Sequence, residues 1–228
     1  RFDTDDDERF SPYTINIVYD KHAQSVKIVD DYLNHLTQND ENYKRVVLEM
    51  IGHCLITNPE KKKALGKFFF LHGGGGNGKG TLLEIITAIL GRSNVSNVSP
   101  KQLKDERYSN ALIGKLANLA DDVEDVSLDN DIMKIMKNIS TCDNIQLRKL
   151  NHNAIETRVT ATLINTTNHL LKSFEKGDSF RRRMLWLPMF TKVEKFDGTF
   201  ITRITAPQAL SYCCLLYTSD AADEVSCV

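Results

Sequence analysis

The chain has 228 residues, 41% hydrophobic and 26% charged, with a formal net charge of -1 at pH 7, the profile of an ordinary globular protein with one good core. No apolar run approaches the ~20 residues that a membrane-spanning helix needs, and no signal-peptide pattern precedes the acidic stretch DTDDDE at 3–8. The near-neutral total excludes a uniformly basic surface but allows a local basic stripe, such as KKK at 61–63 or RRR at 181–183.

Five cysteines (Cys54, Cys142, Cys213, Cys214 and Cys227) form no CxxC pair and no zinc spacing. An odd count without a secretory leader fits a reducing cytoplasm. The chain opens on Arg1 and reads as a piece of a longer protein.

Two helices are expected first. Residues 23–36 carry Val26, Val29, Leu33 and Leu36 on one face, and 41–56 place Tyr43, Val46, Val47, Met50, Ile51, Cys54 and Leu55 at helical spacing. Asn58-Pro59 and the lysine run are expected to close this N-terminal helical module, 1–65. The periodicity then changes. A short apolar strand over 67–71 leads through glycines into a helix over 78–90. Ser99-Pro100 has the chemistry of a helix cap and first turn. A buried strand over 115–120 ends in Asp121-Asp122, 128–139 reads as a helix, and 145–159 alternates around the hairpin-tip triplet Asn151-His152-Asn153. Strands over 160–165 and 184–187 follow. Strands alternating with helices predict an α/β core with a mostly parallel sheet over 66–213. The final stretch, CLLYTSDAADE at 214–224, reads as a translated tagmentation adapter, so 214–228 is expected to be no domain of the protein.

The chemistry concentrates in HGGGGNGKGT. Gly73-x-x-x-x-Gly78-Lys79 follows a strand and opens a helix, the context a phosphate-binding loop requires. Gly73, Gly74, Gly75, Gly76, Asn77 and Gly78 can turn successive backbone N–H groups toward phosphate oxygens, with the positive end of the helix behind them. Lys79 would reach the β and γ phosphates of ATP. The usual Mg2+-ligating hydroxyl position is Gly80, with Thr81 next; adenylate-kinase-type loops also read Gly-Lys-Gly-Thr, so nucleotide binding survives the change. A nucleotide hydrolase needs a carboxylate at a neighbouring strand end to hold Mg2+ and polarise water, and Asp121 and Asp122 supply it, with Thr81 as the further candidate metal ligand.

The segments HGGGGNGKGTLLEII, GKLANLADDV, MKNISTCDNIQLRKL, ATLINTTNHL and DSFRRRMLWLPMF stand in the order found in phage and plasmid primase-helicases. Over about residues 10–210 the chain resembles the helicase part of poxvirus-type primases, within the superfamily-three helicases. The resemblance implies an AAA+-like P-loop ATPase core, commonly a homo-hexameric ring moving on single-stranded DNA at a replication fork, in the cytoplasm of a bacterial host. It further implies a primase domain on a missing upstream part. Carried across, Lys79 and its loop match the Walker A motif and Asp122 the Walker B acid. Asn168 matches the polar sensor that positions attacking water. Arg182 and Arg183 match the arginine pair from which a finger enters the neighbouring subunit's ATP site. The 137–152 segment matches a hairpin that puts basic residues into the DNA channel, with Arg148 and Lys149 on phosphates and Asn151 and His152 near the tip. Two departures stand out: Thr141-Cys142-Asp143 replaces the family's Gly-Gly-Asp, and His169-Leu170-Leu171 replaces a proline after the sensor. Two other readings remain open from the residues alone. One is a small-molecule P-loop kinase, suggested by Gly-Lys-Gly-Thr; the other is a DNA-binding or assembly module with little ATPase activity.

Overall fold

Five parallel strands form the centre of the molecule, seen in a computed structural model that describes residues 12–15, 17–123, 129–148, 154–170, 178–193 and 197–225. The first helix, α1 (Lys27–Thr37), starts later than its apolar spacing suggests, because Ala23 N–H is drawn back to Asp20 O in a turn. Asp40 then caps α2 (Glu41–Cys54) by accepting from Tyr43 N–H. Asn58-Pro59 opens a further short helix, which ends just after the lysine run, at Leu65. Asn58 Oδ1 accepts from the amides of Glu60 and Lys61, and proline fits the first turn of α3 (Pro59–Leu65).

Strand β1 (Phe68–His72) leads to α4 (Lys79–Leu90), and β2 (Val95–Ser96) is a two-residue edge too short to show in the sequence pattern. One turn, α5 (Glu106–Ser109), precedes β3 (Ala117–Ala120); α6 (Asn130–Ser140) follows, capped by Asp129. An antiparallel hairpin, β4 (Asn144–Arg148) and β5 (Ala154–Arg158), runs into β6 (Thr162–Thr167). The chain then passes through α7 (Asp178–Arg181), β7 (Met184–Pro188), α8 (Phe200–Ile204) and α9 (Pro207–Val225). The last helix continues through the stretch read as adapter, with Cys214 and Tyr217 buried.

The sheet order is β2-β3-β6-β1-β7, every pair parallel. β1 is covered on both faces, and its side chains alternate between two cores, as strand geometry requires. Phe69 and Leu71 join the helices α1, α2, α4 and α9 through Leu36, Met50, Ile86 and Ile89. Phe68 and Phe70 join α6, the hairpin and α7 through Met133, Met136, Leu147 and Phe180.

A polar knot lies where α2 and α3 meet the start of β6. Lys62 is 2% exposed, and its ammonium donates to His53 O (2.6 Å), Ile56 O (3.3 Å) and Thr162 Oγ1 (2.6 Å). His53 Nδ1 lies 2.9 Å from the same hydroxyl. Burial, reinforced by the Lys62 charge, pushes the His53 imidazole down to about 2, and burial brings Lys62 down to about 8. Both shifts act in one direction. The unfolded chain takes up a proton on His53 below its ordinary 6.5 that the folded chain refuses down to about 2. Stability is therefore expected to fall with acid across that window, by up to about 1.4 kcal/mol per pH unit. Urea midpoints at pH 7, 6 and 5 check this, and His53→Gln should flatten the dependence.

Candidate nucleotide site

The parallel sheet brings three loops together at the C-terminal ends of its strands, where such sheets place ligands. The loop after β1 carries the glycines, the turn after β3 the aspartates, and the turn after β6 Asn168. Gly75, Gly76 and Gly78 have φ of 85°, 64° and 86°, values that only glycine adopts without strain. A Cβ at Gly74, Gly75 or Gly76 would meet nothing within 4 Å, so the cradle's mouth is open. Gly73 is glycine for the opposite reason: a Cβ there would lie 1.8 Å from Asn77 Nδ2 and 2.2 Å from Met189 O. Asn77 Nδ2 donates to Met189 O at 2.6 Å, and Val193 N–H donates to Gly76 O at 2.8 Å, which ties the loop to the chain after β7. From the other side, Tyr32 of α1 donates its hydroxyl to Gly78 O at 3.1 Å. Gly80 is exposed and Thr81 half-buried on the first turn of α4.

Lys79 is 7% exposed. Its ammonium donates to Gly73 O (2.6 Å), Asn77 Oδ1 (2.9 Å) and Asn168 Oδ1 (3.0 Å). Desolvation pulls its pKa below the ordinary lysine value, and the Asp121 and Asp122 carboxylates oppose that pull. Asn168 Nδ2 in turn donates to Asp122 Oδ1 at 2.9 Å. A continuous polar chain thus runs Lys79–Asn168–Asp122 across the three loops. Asp122 sits at φ 47°, in the left-handed region; backbone strain of this kind concentrates at functional positions.

The residue types gathered here fit, in their chemistry, a nucleotide with a divalent cation. An open glycine cradle at a helix N-terminus suits phosphates, Lys79 offers a buried cation, and Thr81, Asp121 and Asp122 carry oxygen atoms of the kind a hard cation prefers.

The arginines lie elsewhere. Arg182 and Arg183 immediately precede β7, and Phe68 at the start of β1 donates its N–H to Arg183 O. They stand at the opposite end of the strands from the phosphate loop, a separation of roughly 15 Å along a five-residue strand. Arg183 Nη1 donates to Ser179 O at 2.7 Å, whereas the Arg182 side chain is exposed. Lys67 Nζ donates to Arg182 O at 2.6 Å.

In the hairpin, Asn144↔Arg158 through Arg148↔Ala154 pair in register. Its root is fastened to α3 by Arg158 Nη1 on Glu60 Oε1 at 2.7 Å and by Lys63 on Asp143 at 3.4 Å. Arg148 ends β4; Lys149, Asn151 and His152 lie outside the described residues. The Thr141-Cys142-Asp143 departure has a visible cost, since Cys142 adopts φ 49°, a conformation in which glycine is unstrained.

Several contributors escaped the sequence reading. Thr166 and Thr167 look like ordinary strand-end residues, yet both hydroxyls reach the aspartate turn. His72 stacks on Trp186 with ring centroids 5.0 Å apart. Desolvation, Lys79 and His169 all lower its pKa. The only sequence signal for these was position, at the ends of apolar strands.

Strand order, glycine loop and acidic strand end together define the AAA+-like P-loop α/β fold. A family model described as a family of unknown function (DUF5906) matches residues 71–183, a span that starts at the end of β1 and ends on the second arginine. No curated protein matches the chain. Among solved structures, the apo NrS-1 C terminal region (305-718) superposes with a TM-score of 0.68 at 18% identity, covering 90% of this chain and 47% of that one. An A form apo structure of the same region gives 0.67 at 17% identity, again covering 90% and 47%. A ligand-bound JCV helicase overlaps more loosely, with a TM-score of 0.43 at 11% identity over 84% of this chain and 58% of that one. The chain therefore spans just under half of the NrS-1 region it is similar to, and at these identities the likeness establishes the fold.

Proposed function

We propose that this chain is the ATP-dependent DNA helicase domain of a phage- or plasmid-type primase, working as a homo-hexameric ring on single-stranded DNA at the replication fork. The observation that carries this reading is the Lys79–Asn168–Asp122 chain at one end of the sheet, with Arg182 and Arg183 at the other. In a ring, the arginine end of one subunit faces the phosphate end of the next, so each ATP would be completed by two protomers.

The contacts support a role for each residue. The loop amides and Lys79 hold the β and γ phosphates, Lys79 leaving Gly73 O and Asn77 for phosphate oxygens. Asn168, already joined to both Lys79 and Asp122, orients the attacking water, and the Asp122 carboxylate accepts its proton. Asp121, Asp122 and Thr81 would hold Mg2+, which when bound supplies charge neutralisation at the phosphates. Arg182, exposed where Arg183 is tethered, is the finger that stabilises transition-state charge in the neighbouring site. The hairpin, with Arg148, Lys149, Asn151 and His152, would meet the DNA backbone, giving salt-sensitive binding. An upstream primase domain would complete the protein.

ATP hydrolysis is expected to rise several-fold when single-stranded DNA is added. A chain that instead phosphorylates nucleoside monophosphates without DNA would be a kinase. A persistent monomer that hydrolyses nothing would be a binding module, and either result overturns the helicase reading.

A further inference from the structure

Thr166 occupies a position that the nucleotide chemistry above does not by itself require. It is 1% exposed, on β6, two residues before Asn168. Its hydroxyl donates to Asp121 Oδ1 at 2.6 Å and accepts from the Asp122 N–H at 2.7 Å. One neutral hydroxyl has one proton to give and lone pairs to accept with, so both contacts are satisfied together. Its own carbonyl accepts from Val123 N–H at 2.8 Å, and Thr167 donates its hydroxyl to Val123 O at 3.0 Å. Two adjacent threonines of β6 thus fasten three successive residues of the turn after β3.

The consequences differ for the two aspartates. Asp121 Oδ1 is held by the Thr166 hydroxyl and also accepts from the Asp122 N–H at 3.0 Å. Asp122 is fixed through its backbone, at φ 47°, while its carboxylate is turned to Asn168. A non-glycine residue stays in that region only where its surroundings over-determine it, and the Thr166 hydroxyl is the buried group that receives its amide.

We infer that Thr166 is a positioning residue that divides the work between the aspartates, anchoring Asp121 in the turn and thereby presenting the Asp122 carboxylate to Asn168 and Lys79. This rests on the nucleotide-hydrolysing reading of the site, but its geometry is testable without nucleotide. Thr166→Val keeps the shape and removes the hydroxyl; Thr166→Ser keeps the hydroxyl and removes a methyl.

The test is amide hydrogen exchange at Asp122 in the nucleotide-free chain, with ATPase kinetics in parallel. The Asp122 amide is expected to exchange about tenfold faster or more in Thr166→Val, as loss of a buried hydrogen bond implies, and at near wild-type rate in Thr166→Ser. In an active chain, kcat should fall by about tenfold or more in Thr166→Val with KM for ATP within about threefold, and recover in Thr166→Ser. Unchanged exchange in a folded Thr166→Val overturns the inference, as does faster exchange with unchanged kcat. A wild-type chain that hydrolyses no ATP overturns the function proposed above instead, and the exchange result then decides the geometry alone.

Discussion

Lys79→Ala is expected to reduce ATP turnover by about a hundredfold to a thousandfold while the fold survives, the size of effect seen when one preorganised charge-stabilising donor is removed. Lys79 is the one buried cation among the described residues of the phosphate loop, and its ammonium touches both the loop and Asn168. It meets the loop at Gly73 O and Asn77 Oδ1, and through Asn168 it reaches the aspartate turn. Alanine removes the proposed phosphate-binding ammonium and also cuts Asn168 loose from the loop. Folding should tolerate this, because α4 keeps its apolar face of Leu82, Ile85, Ile86 and Ile89, all buried in the core shared with α1 and α2. Steady-state ATPase assays beside a melting curve check the two halves of the statement. Wild-type turnover by a folded Lys79→Ala chain would mean that the glycine loop is not the catalytic site.

Two inactive proteins are expected to make an active mixture. Lys79→Ala disables a subunit's own phosphate loop but leaves its arginines intact; Arg182→Ala/Arg183→Ala does the reverse. The two sets lie at opposite ends of the same strands, β1 pairing Phe68 with Met184 at one end and running into Gly73 at the other. A finger that acts between subunits therefore lets an intact loop on one variant meet intact arginines on the other. With random assembly of equal amounts, about a quarter of the interfaces carry both intact halves, so the mixture should recover up to about a quarter of wild-type ATPase if interfaces act independently. Recovery should depend on total protein concentration, as assembly does. A mixture as inactive as its components would place the arginines' role within their own subunit or outside the reaction.

The fold was legible wherever a local pattern and its burial agree. β1, β3 and β6 read as short apolar runs because each is buried between two neighbouring strands, β7 keeps an apolar run although it is a half-buried edge strand, and α2 and α6 read as helices because each has a single apolar face and an aspartate cap. The helix opened by Asn58-Pro59 is not legible in the pattern because the same pair that can end one helix also caps and opens another, and only the Asn58 side-chain contacts distinguish the two. β2 escaped because two residues leave no periodicity. Of the residues that the structure brings together, those that bear charge or special backbone stand out in the sequence: the glycines, Lys79, the aspartates and Asn168. Those that act through a hydroxyl on a neighbour do not. Thr166 and Tyr32 reach partners 45 and 46 positions away, and no pattern in the chain connects them. Even the arginines were legible as residues but not as a location, since their distance from the phosphate loop follows from strand pairing alone.

β6 carries one further consequence. All its six residues are buried, it is paired on both sides, and it connects two places described separately. Its first residue, Thr162, receives the Lys62 ammonium beside His53, directly after the hairpin strand β5. Its far end carries Thr166, Thr167 and, one step beyond, Asn168. A strand clamped along both edges bends little and transmits a push along its length. β6 thus places the root of the hairpin and the residues that hold the aspartates on one buried strand, about 20 Å apart.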